Sequence, residues 1–81
     1  MKLQIVTTRR MIEHNIEWAE LNTPVGNMVV QPGHTPMIIE LRSGHELVYK
    51  KEDGTQDSVM IVQGVAHITR TEIKILLPID L

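Results

Sequence analysis

Four histidines (His14, His34, His45, His67) and three closely spaced carboxylates (Glu13, Glu17, Glu20) are the side chains of this 81-residue chain that could do metal or acid–base chemistry. No two histidines stand at i,i+2 or i,i+4, the spacings at which one strand or helix presents two ligands. A metal site would need distant segments to converge. The carboxylates could act as an acid and a base, but nothing else of catalytic type gathers around them, so a solvated strand face is expected. Ser43 and Ser58 are the only serines, and neither lies in a Gly-x-Ser-x-Gly elbow. With no cysteine there is no thiol nucleophile, thiolate zinc site or disulfide. Gly44, Gly54 and Gly64 fall ten apart as hairpin punctuation, and no phosphate-loop pattern exists. The basic pairs Arg9-Arg10 and Lys50-Lys51 read as solvated strand ends. With a net charge of −2 and only Trp18 and Tyr49 as aromatics, a nucleic-acid platform has no basis. The expectation is therefore a binding or assembly module without catalytic residues, metal or cofactor.

Three features suit a contact surface. His34 sits in Gln31-Pro32-Gly33-His34-Thr35-Pro36. Two prolines fix φ there and a glycine permits positive φ, so the loop can present a side chain at little ordering cost. His34 either bonds its own loop or faces a partner. Trp18 is either core or an exposed aromatic of the kind enriched in interface hot spots. Met28 stands beside a turn, where an exposed methionine makes an adaptable contact.

The elements that must position these residues read as strands. The apolar residues are mainly Ile, Val, Leu and Met, a bias that suits a pleated, half-buried surface. Leu3, Ile5 and Thr7 alternate with Lys2, Gln4 and Val6, giving a first strand. Thr8-Arg9-Arg10 turns, and Met11-Ile12 begins a short second strand. Residues 16–23 fit a helix or a strand. Poor helix caps favour a strand with a bulge that turns Ile16, Ala19 and Leu21 inward and leaves Trp18 outside. Thr23 to Asn27 turns, Met28 to Val30 is a short strand, Met37 to Leu41 is another, and Ser43-Gly44 turns. His45 to Lys51 places Leu47 and Tyr49 on one side. Asp53-Gly54 is a hairpin signal, followed by a return strand over 55–62, an interruption at Gln63-Gly64, a strand over 65–69, and a last strand through Ile73, Ile75 and Leu77 that Pro78 ends. Eight to ten short strands without a convincing helix predict an antiparallel sandwich or barrel, in one domain over 1–81. The longest apolar run is about four residues, where a spanning helix needs about 20. No signal peptide is visible, so the cytosol is the default compartment.

The run from Leu21 through Pro32-Gly33-His34-Thr35-Pro36-Met37 resembles the most recognisable stretch of the epsilon subunit of F-type ATP synthases, where a glycine-containing turn and a short strand precede Pro-Gly-His-Ala-Pro-Leu. Lys2 to Thr7 is similar to that family's first strand, and Ile73 to Leu77 to its last sandwich strand. Gly44, Asp53-Gly54 and Gly64 match its turn glycines. The resemblance implies a flattened antiparallel β-sandwich of about ten short strands. It implies a non-catalytic rotor subunit of the central stalk, linking the gamma subunit to the membrane c-ring and coupling proton or sodium flow to ATP synthesis or hydrolysis. His34, Thr35 and Trp18 would face gamma; Val25, Gly26, Asn27 and Met28 would face the ring. The subunit would be peripheral, on the cytoplasmic face of the inner membrane.

Several positions depart from the family pattern. Val25 and Asn27 replace acidic residues common in the ring-facing turn, so a charge pair with a basic ring residue is lost or substituted. Val29 replaces a glycine, Val62-Gln63-Gly64 replaces Ser-Gly-Gly, and the usual Phe is missing. These changes suggest a divergent or alternative-type member. The chain ends where the family's helical hairpin would begin; as a whole protein it would be expected to couple without braking rotation or binding ATP, and as a piece of a longer one it implies nothing about regulation. A stand-alone β-sandwich that binds a protein or small ligand is the competing expectation.

Overall fold

A computed structural model describes residues 1–80. Eight strands form, and no helix exists among the described residues: β1 Lys2–Val6, β2 Met11–Thr23, β3 Gly26–Val30, β4 Met37–Glu40, β5 His45–Lys51, β6 Gln56–Ile61, β7 Val65–Ile68 and β8 Glu72–Leu76. Eight lies within the eight to ten read from the sequence; Met11-Ile12 and the 16–23 run are one 13-residue strand.

That strand belongs to two layers. Met11 to Asn15 pairs with β1, whereas Ala19 to Thr23 pairs with β3 on one side and Ile16 to Glu20 with β5 on the other. The hydrogen-bonded path is β4-β7-β8-β1-β2-β5-β6, with β3 beside β2. The expected bulge is present, as a register shift between Ile16 and Trp18. Ile16, Ala19 and Leu21 all point inward and are buried, which plain two-residue alternation could not achieve. The pairings are antiparallel with one exception: β1 and β8 run parallel, a departure from the all-antiparallel expectation. The exception brings the first and last strands side by side at the centre of one layer.

Inward residues of the two layers meet in one core. β1, β7 and β8 supply Leu3, Ile5, Ala66, Ile68, Ile73 and Ile75. β2, β3, β5 and β6 supply Ala19, Leu21, Val30, Leu47, Tyr49 and Ile61. Burying each large aliphatic contributes about 1.5–3 kcal/mol. Principal extents of 27 × 27 × 18 Å fit two thin layers. Gly64 allows the closest approach: an added Cβ would lie 2.6 Å from Leu77 Cδ2 and 3.1 Å from the Leu76 carbonyl oxygen.

Tyr49 is 2% exposed. Its ring stacks on His14 with centroids 5.3 Å apart. Burial, then the charge and hydrogen bond of Asp57, push its phenol above the ordinary 10.0. A raised folded value means native stability is full below the unfolded value and is lost as pH rises through the folded one.

Two stability predictions follow from this packing. Gly64→Ala should cost about 1–3 kcal/mol in urea unfolding, the usual range for overpacking. Tyr49→Phe should flatten the fall in thermal midpoint above about pH 10; an alkaline profile identical to the parent's would remove Tyr49 as its source.

Candidate functional site

The candidate contact residues lie at opposite ends of β3. That strand has five residues, and at about 3.3 Å per residue its ends stand roughly 13 Å apart.

The Gln31–Pro36 loop leaves the Val30 end. It is tied down by reciprocal bonds to the β7–β8 turn: Gly33 N–H donates to the Arg70 carbonyl (2.7 Å), and Arg70 Nη1 donates to the Gly33 carbonyl (3.2 Å). His34 N–H donates to the Gln31 carbonyl at 3.1 Å. Gly33 has φ of +88°, a conformation that side chains with a Cβ disfavour. His34 is half-buried, with its ring Nδ1 2.8 Å from the Thr35 carbonyl oxygen. Thr35 is exposed. His34 thus bonds its own loop and still reaches the surface, so the two readings of this residue are compatible.

Trp18 stands at the same end. Ala19 pairs with Val30, so Trp18 lies one residue beyond β3, level with the start of the loop. It is half-buried, outside the core, and opposite Lys50 on the outer face of the layer. Lys50 Nζ lies 3.5 Å from Glu17 Oε2.

The other end carries the Pro24-Val25 turn. Thr23, 2% exposed, organises it: Oγ1 donates to the Gly26 carbonyl (2.7 Å) and accepts from Val25 N–H (3.3 Å). Asn27 Nδ2 donates to Asn22 Oδ1 at 3.2 Å. Val25, at 92% exposed, is the tip. Met28 departs from its expected role as an exposed contact. It lies opposite Leu21 and packs on the core from the inward face of β3, supporting the turn from beneath.

This turn end also holds a feature that the sequence pattern did not reveal. Of the nine exposed large hydrophobics among the described residues, all but Val29 and Ile38 lie toward this end: Met11, Val25, Met60, Val62, Val65, Leu76 and Ile79. Met60, Val62, Val65, Leu76 and Ile79 line two adjoining grooves. One, of ≈ 730 Å³, is lined by Pro24, Glu40 to Ser43, Val62 to Val65 and Leu76 to Pro78; the other, of ≈ 340 Å³, by Val59, Met60, Val62, Gln63, Leu77, Ile79 and Asp80. Scattered apolar exposure is ordinary; concentration at one end makes this a candidate contact surface. The available signal was broken alternation: Met60-Ile61-Val62 and Leu76-Leu77-Pro78-Ile79 leave apolar residues with no inward face.

The groups with catalytic potential do not converge. Glu13 accepts from Gln4 Nε2 at 2.9 Å on the outer face of one layer. Glu17 pairs with Lys50, and Glu20 lies on the outer face of the other layer. His14 stacks on Tyr49, His34 is in its loop, His45 begins β5 and His67 lies on β7. Among the described residues no three His, Cys, Asp or Glu side chains group as metal ligands. No helix of the described chain is long and apolar enough to cross a membrane.

Comparison with known proteins fits this geometry. The family model described as "ATP synthase, Delta/Epsilon chain, beta-sandwich domain" matches residues 1–78. Among solved structures, the fold is similar to a chain in the cryo-EM structure of the Euglena gracilis mitochondrial ATP synthase, OSCP/F1/c-ring in rotational state 1. The TM-score is 0.84 at 24% identity, covering 93% of this chain and 48% of that one. The chain therefore spans about half the length of that relative. No curated protein matches the sequence.

Gly33→Ala should lower stability by about 1 kcal/mol and speed proteolysis within Gln31–Pro36. A loop no more labile than the parent's would mean that the +88° conformation is not what holds it.

Proposed function

Because the chain belongs to the ATP synthase delta/epsilon β-sandwich family over residues 1–78, we propose that it is a non-catalytic subunit of the central stalk that links the gamma subunit to the c-ring. The family match carries this reading. Two dissimilar exposed surfaces at opposite ends of one sandwich support it. In this role the Trp18, His34 and Thr35 end meets gamma, and the Val25, Gly26 and Asn27 tip meets the ring. Met28 holds the tip from inside. The work is mechanical: the ladder from β3 through β2 and β5 connects the two ends, so a load on one reaches the other with little bending.

Ring contact in this chain is apolar in character. Val25 and Asn27 bring no charge to the tip, and the exposed Met60, Val62, Val65, Leu76 and Ile79 of the same end supply burial in place of ion pairing. The subunit is peripheral on the cytoplasmic face of the inner membrane, and ion flow, of protons or sodium, belongs to the ring. The ≈ 730 Å³ groove is the feature that a stand-alone ligand-binding sandwich would use instead.

Co-purification separates the two. The chain should be recovered with gamma and c-ring subunits; a stable homodimer that ignores gamma would refute the stalk role. Trp18→Ala and His34→Ala should each weaken gamma binding at least fivefold, the loss expected of a hot spot, with a smaller effect on thermal stability. Val25→Asp should weaken ring binding and leave gamma binding unchanged.

A further inference from the structure

The loop at the Trp18 end holds one nitrogen of His34 and leaves the other open. The Thr35 carbonyl, 2.8 Å from Nδ1, can only accept, so Nδ1 carries the proton. In the neutral ring Nε2 is then a bare lone pair. No described residue bonds Nε2. No half-buried residue of the described chain has a side-chain nitrogen or oxygen that is both sealed from solvent and unbonded. Nε2 therefore reaches the surface. Its position is fixed by the bonds of Gly33 to Arg70 and of His34 N–H to the Gln31 carbonyl.

We propose that His34 Nε2 is a preorganised hydrogen-bond acceptor for an uncharged donor on the docking subunit: a backbone N–H, a hydroxyl or a side-chain amide. This rests on the reading of the loop as gamma-facing. Against the neutral ring a partner carboxylate would set acceptor against acceptor, and it could be met only by adding a proton to Nε2. A partner Lys or Arg would approach the Arg70 guanidinium, which is bonded to the same loop at the Gly33 carbonyl, and like charges brought together across an interface are costly. The uncharged donor meets neither penalty, and the loop's rigidity removes most of the ordering cost. His34 thereby sets which partner surface fits, while Trp18 contributes area.

Nitrogen NMR of the histidine rings, combined with binding of purified gamma subunit, tests the proposal. The free chain at mildly alkaline pH should show the His34 proton on Nδ1 and a bare Nε2. Adding gamma should shift Nε2 toward the hydrogen-bonded position and leave Nδ1 unmoved. His34→Asn keeps an N–H for the Thr35 carbonyl but has no atom at the Nε2 position, and gamma affinity should fall about 2–10-fold. His34→Gln places an amide oxygen there and should recover part of the loss. A proton on Nε2 in the free chain, or His34→Asn binding gamma as tightly as the parent, overturns the proposal alone. Failure of the parent chain to bind gamma overturns the stalk reading, and this proposal falls with it.

Discussion

One strand serving two layers is the constraint on which the rest of the molecule depends. β2 leaves β1 at Asn15 and takes up β5 at Ile16, and the register slips by one residue between Ile16 and Trp18. A one-residue slip exchanges the faces of everything beyond it. Used once, at the corner, it lets Ile16 point inward in one half while Ala19, Leu21 and Thr23 point inward in the other. The same slip turns Trp18 and Glu20 outward. The placement of the aromatic at the surface and the continuity of the core are thus one event. Ile16 N–H also donates to the Met1 carbonyl at 2.8 Å, so the chain's start is bonded at the bend.

Closure at the other terminus compensates for small size. A domain of this length buries only about 60–65% of its unfolded surface, and no disulfide is available. The parallel β1–β8 pair joins the sequence-distant strands directly. Beyond it, Leu77 N–H donates to the Val6 carbonyl at 2.8 Å. Arg10 grips Asp80 through Nε (3.0 Å) and Nη2 (2.8 Å), and buried Thr7 donates to Asp80 Oδ1 at 2.7 Å. Thr7 also accepts from the amides of Arg9 and Arg10, so one buried hydroxyl organises both the β1–β2 turn and the segment that follows β8. The exposed parts of such pairs contribute little individually; their effect lies in fixing where Ile79 and Leu77 sit beside the grooves.

Local chemistry made most of the strands legible. Alternation located β1, β5 and β8. Asp53-Gly54 located the β5–β6 hairpin, closed by Lys51 N–H to the Thr55 carbonyl at 2.8 Å. Even the bulge could be inferred, because Ile16, Ala19 and Leu21 share no face under strict alternation. Pairing partners were not legible: nothing local to Leu3 or Ile73 specifies that β1 and β8 lie parallel, since that depends on the global path. In the candidate site, the rigidity of the His34 loop was readable from its prolines and glycine, but its anchor was not, because Arg70 is 37 residues from Gly33. Met28 misled because proximity to a turn suggested exposure, whereas its cross-strand position opposite Leu21 decides its face. The apolar end was the largest omission: its members come from five separate segments, and each exposed side chain taken alone is unremarkable.

The two ends differ in a way that bears on the proposed role. The His34 end is directional: two prolines, a glycine at positive φ, two bonds to Arg70 and a ring held by its own loop define one arrangement of donors and acceptors. Such a surface distinguishes among partner orientations, because a misaligned hydrogen bond is weak and a buried unpaired group costs about 1–3 kcal/mol. The Val25 end relies on apolar area, which is non-directional and roughly proportional to the surface removed from water. In the proposed role, one end would meet a unique partner and the other a ring of repeated loops, which calls for both kinds of contact. Orientation is set once, against the unique partner. Against the ring, a contact that tolerates small displacements avoids forcing the asymmetric sandwich into register with a repeating surface. In the proposed role the uncharged Val25 and Asn27 would offer the ring burial in place of salt-sensitive pairing.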